Sequence, residues 1–146
     1  MMTSSRPVHH VALCTTDVEL ALRFWQDGMG LTQLFDHSFS GSWRQLFGAE
    51  TDELRSIFLG DGDAGLVELV MMAGSGAALP PGAPRAGLFL VSFERDVDEQ
   101  LARLAELGFE AEVRRIEQPA GAGKVVPMAV IRAPDGVLVE LIGPAR

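Results

Sequence analysis

Apolar positions along this chain either alternate or recur at helical spacing, and the order in which the two rhythms appear runs through twice. Val8–Thr15 is a short β-rich run that stops at Thr16-Asp17, a pair with the chemistry of a helix N-cap. Val18, Ala21, Leu22 and Trp25 follow at i, i+3, i+4 and i+7, the stripe of a helix packed on a sheet, and Gly28 and Gly30 end it. Leu31–Phe39 and Leu54–Leu59 read as strands, Gly60–Gly65 as a turn, and Leu66-Val-Glu-Leu-Val70 as another strand. The segment 74–84, with glycine, alanine and three prolines, suits neither a helix nor a central strand and reads as a linker. The order then resumes. Leu88–Phe93 is a strand, and Asp96 caps a helix that carries Val97, Leu101 and Leu104 and stops at Gly108. Phe109–Ile116 and Val125–Ile131 are strands, Pro134-Asp-Gly136 is a turn, and Leu138-Val-Glu-Leu-Ile142 is the last strand.

The strands 66–70 and 138–142 are nearly the same string, 72 residues apart in a chain of 146. Asp17-Val-Glu19 and Asp96-Val-Asp98 mark the same helix start 79 residues apart, so the second half has the shorter middle hairpin. The pattern predicts one domain over 1–146, made of a βαβββ module at 8–73 and another at 85–144, joined by the linker 74–84. Each repeated strand sets one carboxylate, Glu68 or Glu140, among apolar neighbours on both faces. A bare buried carboxylate costs several kcal/mol or shifts its pKa until neutral, so each needs a cation, a donor or a wet cavity. One such glutamate is an ordinary strand-edge residue. Two at the same place in a duplication point to a site.

Composition narrows the classes. The mass of 15.7 kDa and a hydrophobic fraction of 47% suit one compact unit with a real core. A net charge of −8 argues against nucleic acid as a partner. The single cysteine, Cys14, excludes an intramolecular disulfide, suits a reducing compartment and reads as a small buried hydrophobe. No window approaches the roughly 20 apolar residues of a membrane span, and Met1–Pro7 lacks the makings of a signal peptide, so no membrane partner and a cytoplasmic location are expected. Gly121-Ala-Gly-Lys124 is followed by valine and a strand, which makes it a hairpin turn and not a phosphate loop. Asp61 and Asp63 lack the further acidic ligands of a calcium loop.

Strand alternation sends His9 and His10 to opposite faces. His10 shares its face with the small residues Ala12 and Cys14, which leave room for a ligand, so it is the better candidate. His37, Trp43 and Arg55, on or near the longer hairpin, are candidates to close over a substrate or hold its carboxylate.

In Val8-His-His-Val-Ala-Leu13, Asp17-Val-Glu19 and Pro134-Asp-Gly-Val-Leu-Val-Glu-Leu141, and in their order, the chain resembles the vicinal-oxygen-chelate superfamily of glyoxalases, epimerases, extradiol dioxygenases and drug-resistance proteins. The resemblance covers Val8 to Gly143. It implies an α+β protein of two tandem βαβββ modules whose curled mixed sheets surround a cavity. It implies His10, Glu68 and Glu140 as ligands of one divalent ion (Mn, Fe, Co, Zn, Ni or Mg), with Glu68 or Glu140 also shuttling a proton. The fourth ligand position falls on Leu90, or on Phe89, and neither can bind a metal. One imidazole and two carboxylates still make a usable set with open positions, though their charge lowers the Lewis acidity of the ion. The implied function is a metal-dependent lyase, isomerase or epimerase, or dioxygenase acting on a small oxygenated metabolite, in a homodimer. The missing ligand keeps a metal-free, drug-sequestering type of binding protein as the alternative.

Overall fold

The computed structural model describes residues 8–62, 64–82, 84 and 86–146; Met1–Pro7 and Asp63, on which part of the leader and calcium-loop readings fell, lie outside them, as do Ala83 and Arg85. The strands are β1 (Val11–Cys14), β2 (Thr32–Ser40), β3 (Glu53–Asp61), β4 (Ala64–Met71), β5 (Leu90–Glu94), β6 (Arg114–Pro119), β7 (Val125–Arg132) and β8 (Leu138–Ile142). The helices are α1 (Val18–Leu22), continued by a π-helical turn at Arg23–Gly28, then α2 (Trp43–Phe47) and α3 (Val97–Glu106).

Two four-stranded mixed sheets result, in the orders β1-β4-β3-β2 and β5-β8-β7-β6, and neither closes on itself. In each, the first strand pairs parallel with the last and the remaining pairs are antiparallel, as a duplicated βαβββ unit requires. The register repeats as well. Glu68 stands opposite Ala12 and Phe58, and Glu140 opposite Ser92 and Val130. Two residues before Ala12 is His10, and two before Ser92 is Leu90.

By contacts the chain groups into two compact units: residues up to Val18 with Gly30–Gly76, and Glu19–Met29 with Ala77–Arg146. In the first unit, Leu13, Leu31, Ile57, Leu59, Val67 and Leu69 are buried. Strand β2 is exposed along its whole length.

The second unit holds the helical segment that the repeat places in the first module. The side chains of Phe24 and Trp25 are fully buried, with Trp25 against Phe93 and Phe24 against Phe109. The π turn, closed by the Met29 N–H donating to the Phe24 carbonyl at 2.8 Å, turns both aromatics inward, where a plain α-helical stripe leaves Phe24 out. Helix α3 begins as the sequence predicts, Asp96 accepting from the Glu99 N–H at 2.9 Å. Its Gln100 Nε2 donates to the Gly28 carbonyl at 2.8 Å, and Arg103 Nε to that of Asp27 at 2.7 Å. Strand β6 starts at Arg114 and not at Phe109, because Phe109 is drawn against Phe24 and Glu112 takes a positive φ of 54° that breaks extended pairing. Gly121–Lys124 is a hairpin turn, closed by the Lys124 N–H on the Gly121 carbonyl.

Surface ion pairs shape the acid limb of stability. Arg55 grips Asp36 with two parallel bonds (Nε–Oδ1 2.8 Å, Nη2–Oδ2 2.6 Å), and Asp98 is held by Arg115 and Arg146. The guanidinium hydrogen bonds hold both carboxyls below their ordinary value of 3.8. Their contribution is therefore present above about pH 4 and is lost as pH falls through the depressed folded-state values. Thermal melts between pH 5 and 2.5 should show a falling limb that Arg55→Ala makes shallower. Exposure limits the Asp36 pair to about 1 kcal/mol or less, and an unchanged limb would mean that the pair contributes nothing.

Candidate functional site

Every residue of the site described below belongs to the first unit. Alternation along β3 turns Leu54, Ser56 and Phe58 to one face of the sheet, and β1 and β4 turn Ala12, Cys14, Glu68 and Val70 to the same side. Phe35 and Phe39 of β2 and Trp43 and Phe47 of α2 complete a cavity of about 550 Å³. That volume lies within the range of small-molecule sites, roughly 300–1,000 Å³.

The aromatic wall is built locally. Trp43 and Phe47 are four residues apart on one helical turn and stack with ring centroids 5.7 Å apart. Gly48 ends that turn in the left-handed conformation, φ 66°, its N–H returning to the Arg44 carbonyl. A side chain at Gly41 would collide with the indole, whose Nε1 donates to the Phe39 carbonyl at 3.4 Å, so the absence of a Cβ there lets Trp43 fold down. Phe35 stacks on Phe58 at 4.7 Å, and Phe58 meets the His10 ring edge-on at 5.0 Å.

Polar chemistry sits where this row of rings ends. His10 Nε2 lies 3.1 Å from Glu68 Oε2, both side chains being part-buried. His10 Nδ1 lies 2.8 Å from His9 Nδ1, so one ring donates to the other. The two histidines do not part to opposite faces as alternation predicts. Both precede β1, where no ladder enforces it, and both rings lean on Phe58. Cys14 is exposed on the cavity side and is not the buried hydrophobe that its composition suggests.

Of the candidates on the longer hairpin, only Trp43 lines this cavity. Arg55 points to the other face of β3 and is occupied by Asp36. His37 rests on Phe39 with centroids 4.9 Å apart. Glu140 is in the second unit, on β8, where its Oε1 accepts from the Ser92 hydroxyl at 2.8 Å. Among the described residues of either unit, no three His, Cys, Asp or Glu side chains gather as a ready-made ligand cluster. Sequence reasoning passed over Ser56, Phe35 and Phe58. The available signal was Ser56 between Leu54 and Phe58, a lone hydroxyl on an apolar face. Among the described residues no helix is long and apolar enough to cross a membrane.

Each sheet has the strand order of a βαβββ module, with a histidine ahead of the first strand of one and a glutamate in the last strand of both. The chain matches the model of the glyoxalase/bleomycin resistance protein/dioxygenase superfamily over residues 8–141 and belongs to that superfamily. It is 31% identical to lactoylglutathione lyase-like protein terB of Aspergillus terreus, with 92% of this chain and 74% of that protein covered. Its fold is similar to that of a glyoxalase family protein from Bacillus cereus (TM-score 0.73, 17% identity, 98% of each chain covered). It is also similar to a lactoylglutathione lyase from Agrobacterium tumefaciens (TM-score 0.60, 22% identity, 96% of this chain and 95% of that one).

Proposed function

We propose that this protein is a divalent-ion-assisted lyase or isomerase that moves a proton on a carbon beside a substrate oxygen, with Glu68 as the base. The reading is carried by one observation, the His10–Glu68 pair at the polar end of an apolar cavity. Within the lyase, isomerase and dioxygenase chemistry that the resemblance implies, proton transfer is what these side chains can perform themselves. Glu68 accepts the proton. His10, steadied by His9, stands beside the carboxylate and donates to, or shares a cation with, the charge it carries.

Superfamily members commonly use a divalent metal ion. Two donors, His10 Nε2 and Glu68 Oε2, are spaced to share one. A separation of 3.1 Å is what two ligands show when they share an ion at bond lengths of about 2.0–2.2 Å. With His9 at Nδ1, Nε2 is the ring nitrogen that faces Glu68 and would ligate. When bound, the ion would polarise a substrate oxygen and stabilise the negative charge left by proton removal. Glu140, at the equivalent strand position of the repeat, is proposed as the counterpart of Glu68. A metal-free binding protein is the competing reading, favoured by Leu90 at the place that corresponds to His10.

Thermal melts of metal-stripped protein, with chelator and with added Mn²⁺ or Zn²⁺, decide between them. At 100 times the dissociation constant an ion should stabilise by about 2.7 kcal/mol, a rise of roughly 5–10 °C at this chain length. Glu140→Gln is expected to weaken the response; an unchanged response would leave Glu140 as the partner of Ser92 alone. No response in the wild type would leave the binding-protein reading.

A further inference from the structure

We infer that the cavity of the first unit takes a planar aromatic ring bearing a hydroxyl or carbonyl oxygen, and not a glutathione conjugate. The inference rests on reading this cavity as the substrate site. Three independent features support it. The walls are rings: Phe35 stacked on Phe58, with Trp43 stacked on Phe47, present flat faces and edges to whatever enters. Phe35, Phe39 and Phe47 keep 42%, 38% and 58% of their surface exposed, which is apolar area that a flat ligand would cover.

Charge is the second feature. Among the described residues no lysine or arginine lines the cavity, and Glu68 is the one carboxylate there. A glutathione conjugate brings carboxylates of its own, which need guanidinium or ammonium partners where water is excluded. Arg55, the basic side chain of β3, lies on the opposite face and is already paired with Asp36. An uncharged ring meets no such penalty.

The third feature is Ser56. It is 3% exposed, it lines the cavity, and its hydroxyl oxygen, itself shut off from solvent, has no hydrogen-bond partner among the described residues. A buried hydroxyl without a partner costs stability and calls for an explanation. Leu54 and Phe58 flank it on the same face, so no neighbour along the strand can satisfy it. A hydroxyl turns about a single χ1 bond and both donates and accepts. Rotation about χ1 would carry the hydroxyl to the cavity surface, where an oxygen on the ring would supply the missing partner and fix the orientation of the ring relative to His10 and Glu68.

The test is calorimetric titration of the metal-stripped full chain, in chelator, with 2-naphthol, naphthalene and S-methylglutathione. The rate at which N-ethylmaleimide alkylates Cys14, the sole cysteine and a cavity residue, reports where binding occurs. 2-Naphthol is expected to bind and to slow alkylation, while S-methylglutathione does neither. Ser56→Ala should weaken 2-naphthol about tenfold, the size of one hydrogen bond, and leave naphthalene unchanged. Trp43→Ala should weaken both rings. Tighter binding of S-methylglutathione than of 2-naphthol, or an equal effect of Ser56→Ala on the two rings, would overturn the inference. An ion response in the melts without ring binding sinks this inference alone. Ring binding without an ion response sinks only the ion-assisted reading.

Discussion

Trp25→Ala should destabilise the protein by about 3–5 kcal/mol, the usual cost of emptying a large buried aromatic site. The indole is 1% exposed, packed in the second unit against Phe93 and edge-on to Phe24, and its helical turn is pinned to α3 by Gln100 and Arg103. Because backbone carbonyls of the turn are held by those bonds, the surroundings cannot collapse freely into the gap, which favours the upper part of the range. For a chain of this length the melting midpoint should drop by on the order of 10 °C, read by circular dichroism. A loss below about 1 kcal/mol would show that the turn is not a keystone of the second unit.

Glu68→Gln should abolish most divalent-ion binding while leaving the metal-free fold nearly as stable as before. The amide keeps the volume and can still accept a proton from His10 Nε2, 3.1 Å away, so the change in metal-free stability should stay within about 0.5 kcal/mol. It cannot offer the charge that makes a carboxylate a ligand and a base. Titration with Mn²⁺ or Zn²⁺ should show affinity lower by on the order of 100-fold, and proton-transfer activity, once a substrate is in hand, should fall by roughly 10²–10⁴. The split matters. Equal losses of stability and ion binding would mark Glu68 as a packing residue and remove the base from the proposed chemistry.

The duplicated frame was legible because Leu66–Val70 and Leu138–Ile142 are almost one string, and a repeat needs no tertiary information to be seen. Their shared register and strand order followed. The helical stripe at Val18–Trp25 revealed which face is buried but not what covers it. Amphipathicity carries no address, and that segment turned out to be packed with α3. Helix α2 was hidden because five residues are too few to show a period; only the Trp43–Phe47 spacing and Gly48 hinted at it. The glutamate of the candidate site stood out as a charge in an apolar strand. Ser56 did not, since a serine in a strand looks ordinary until the structure shows its hydroxyl without a partner. His9 was misplaced because alternation governs residues inside a ladder, and it lies before one.

The placement of Glu19–Met29 also bears on how the molecule is made. Its bonds to α3 and the residues after it, Gly28 to Gln100, Asp27 to Arg103 and Arg23 to Leu107, join residues 72, 76 and 84 positions apart in the chain. During synthesis, Phe24 and Trp25 leave the ribosome long before the residues that will cover them exist. The nascent first half therefore carries two bare aromatics that it cannot bury by itself, and loops of this length are slow to close. Burial of these aromatics waits until a segment translated early is met by partners translated 72 to 84 residues later.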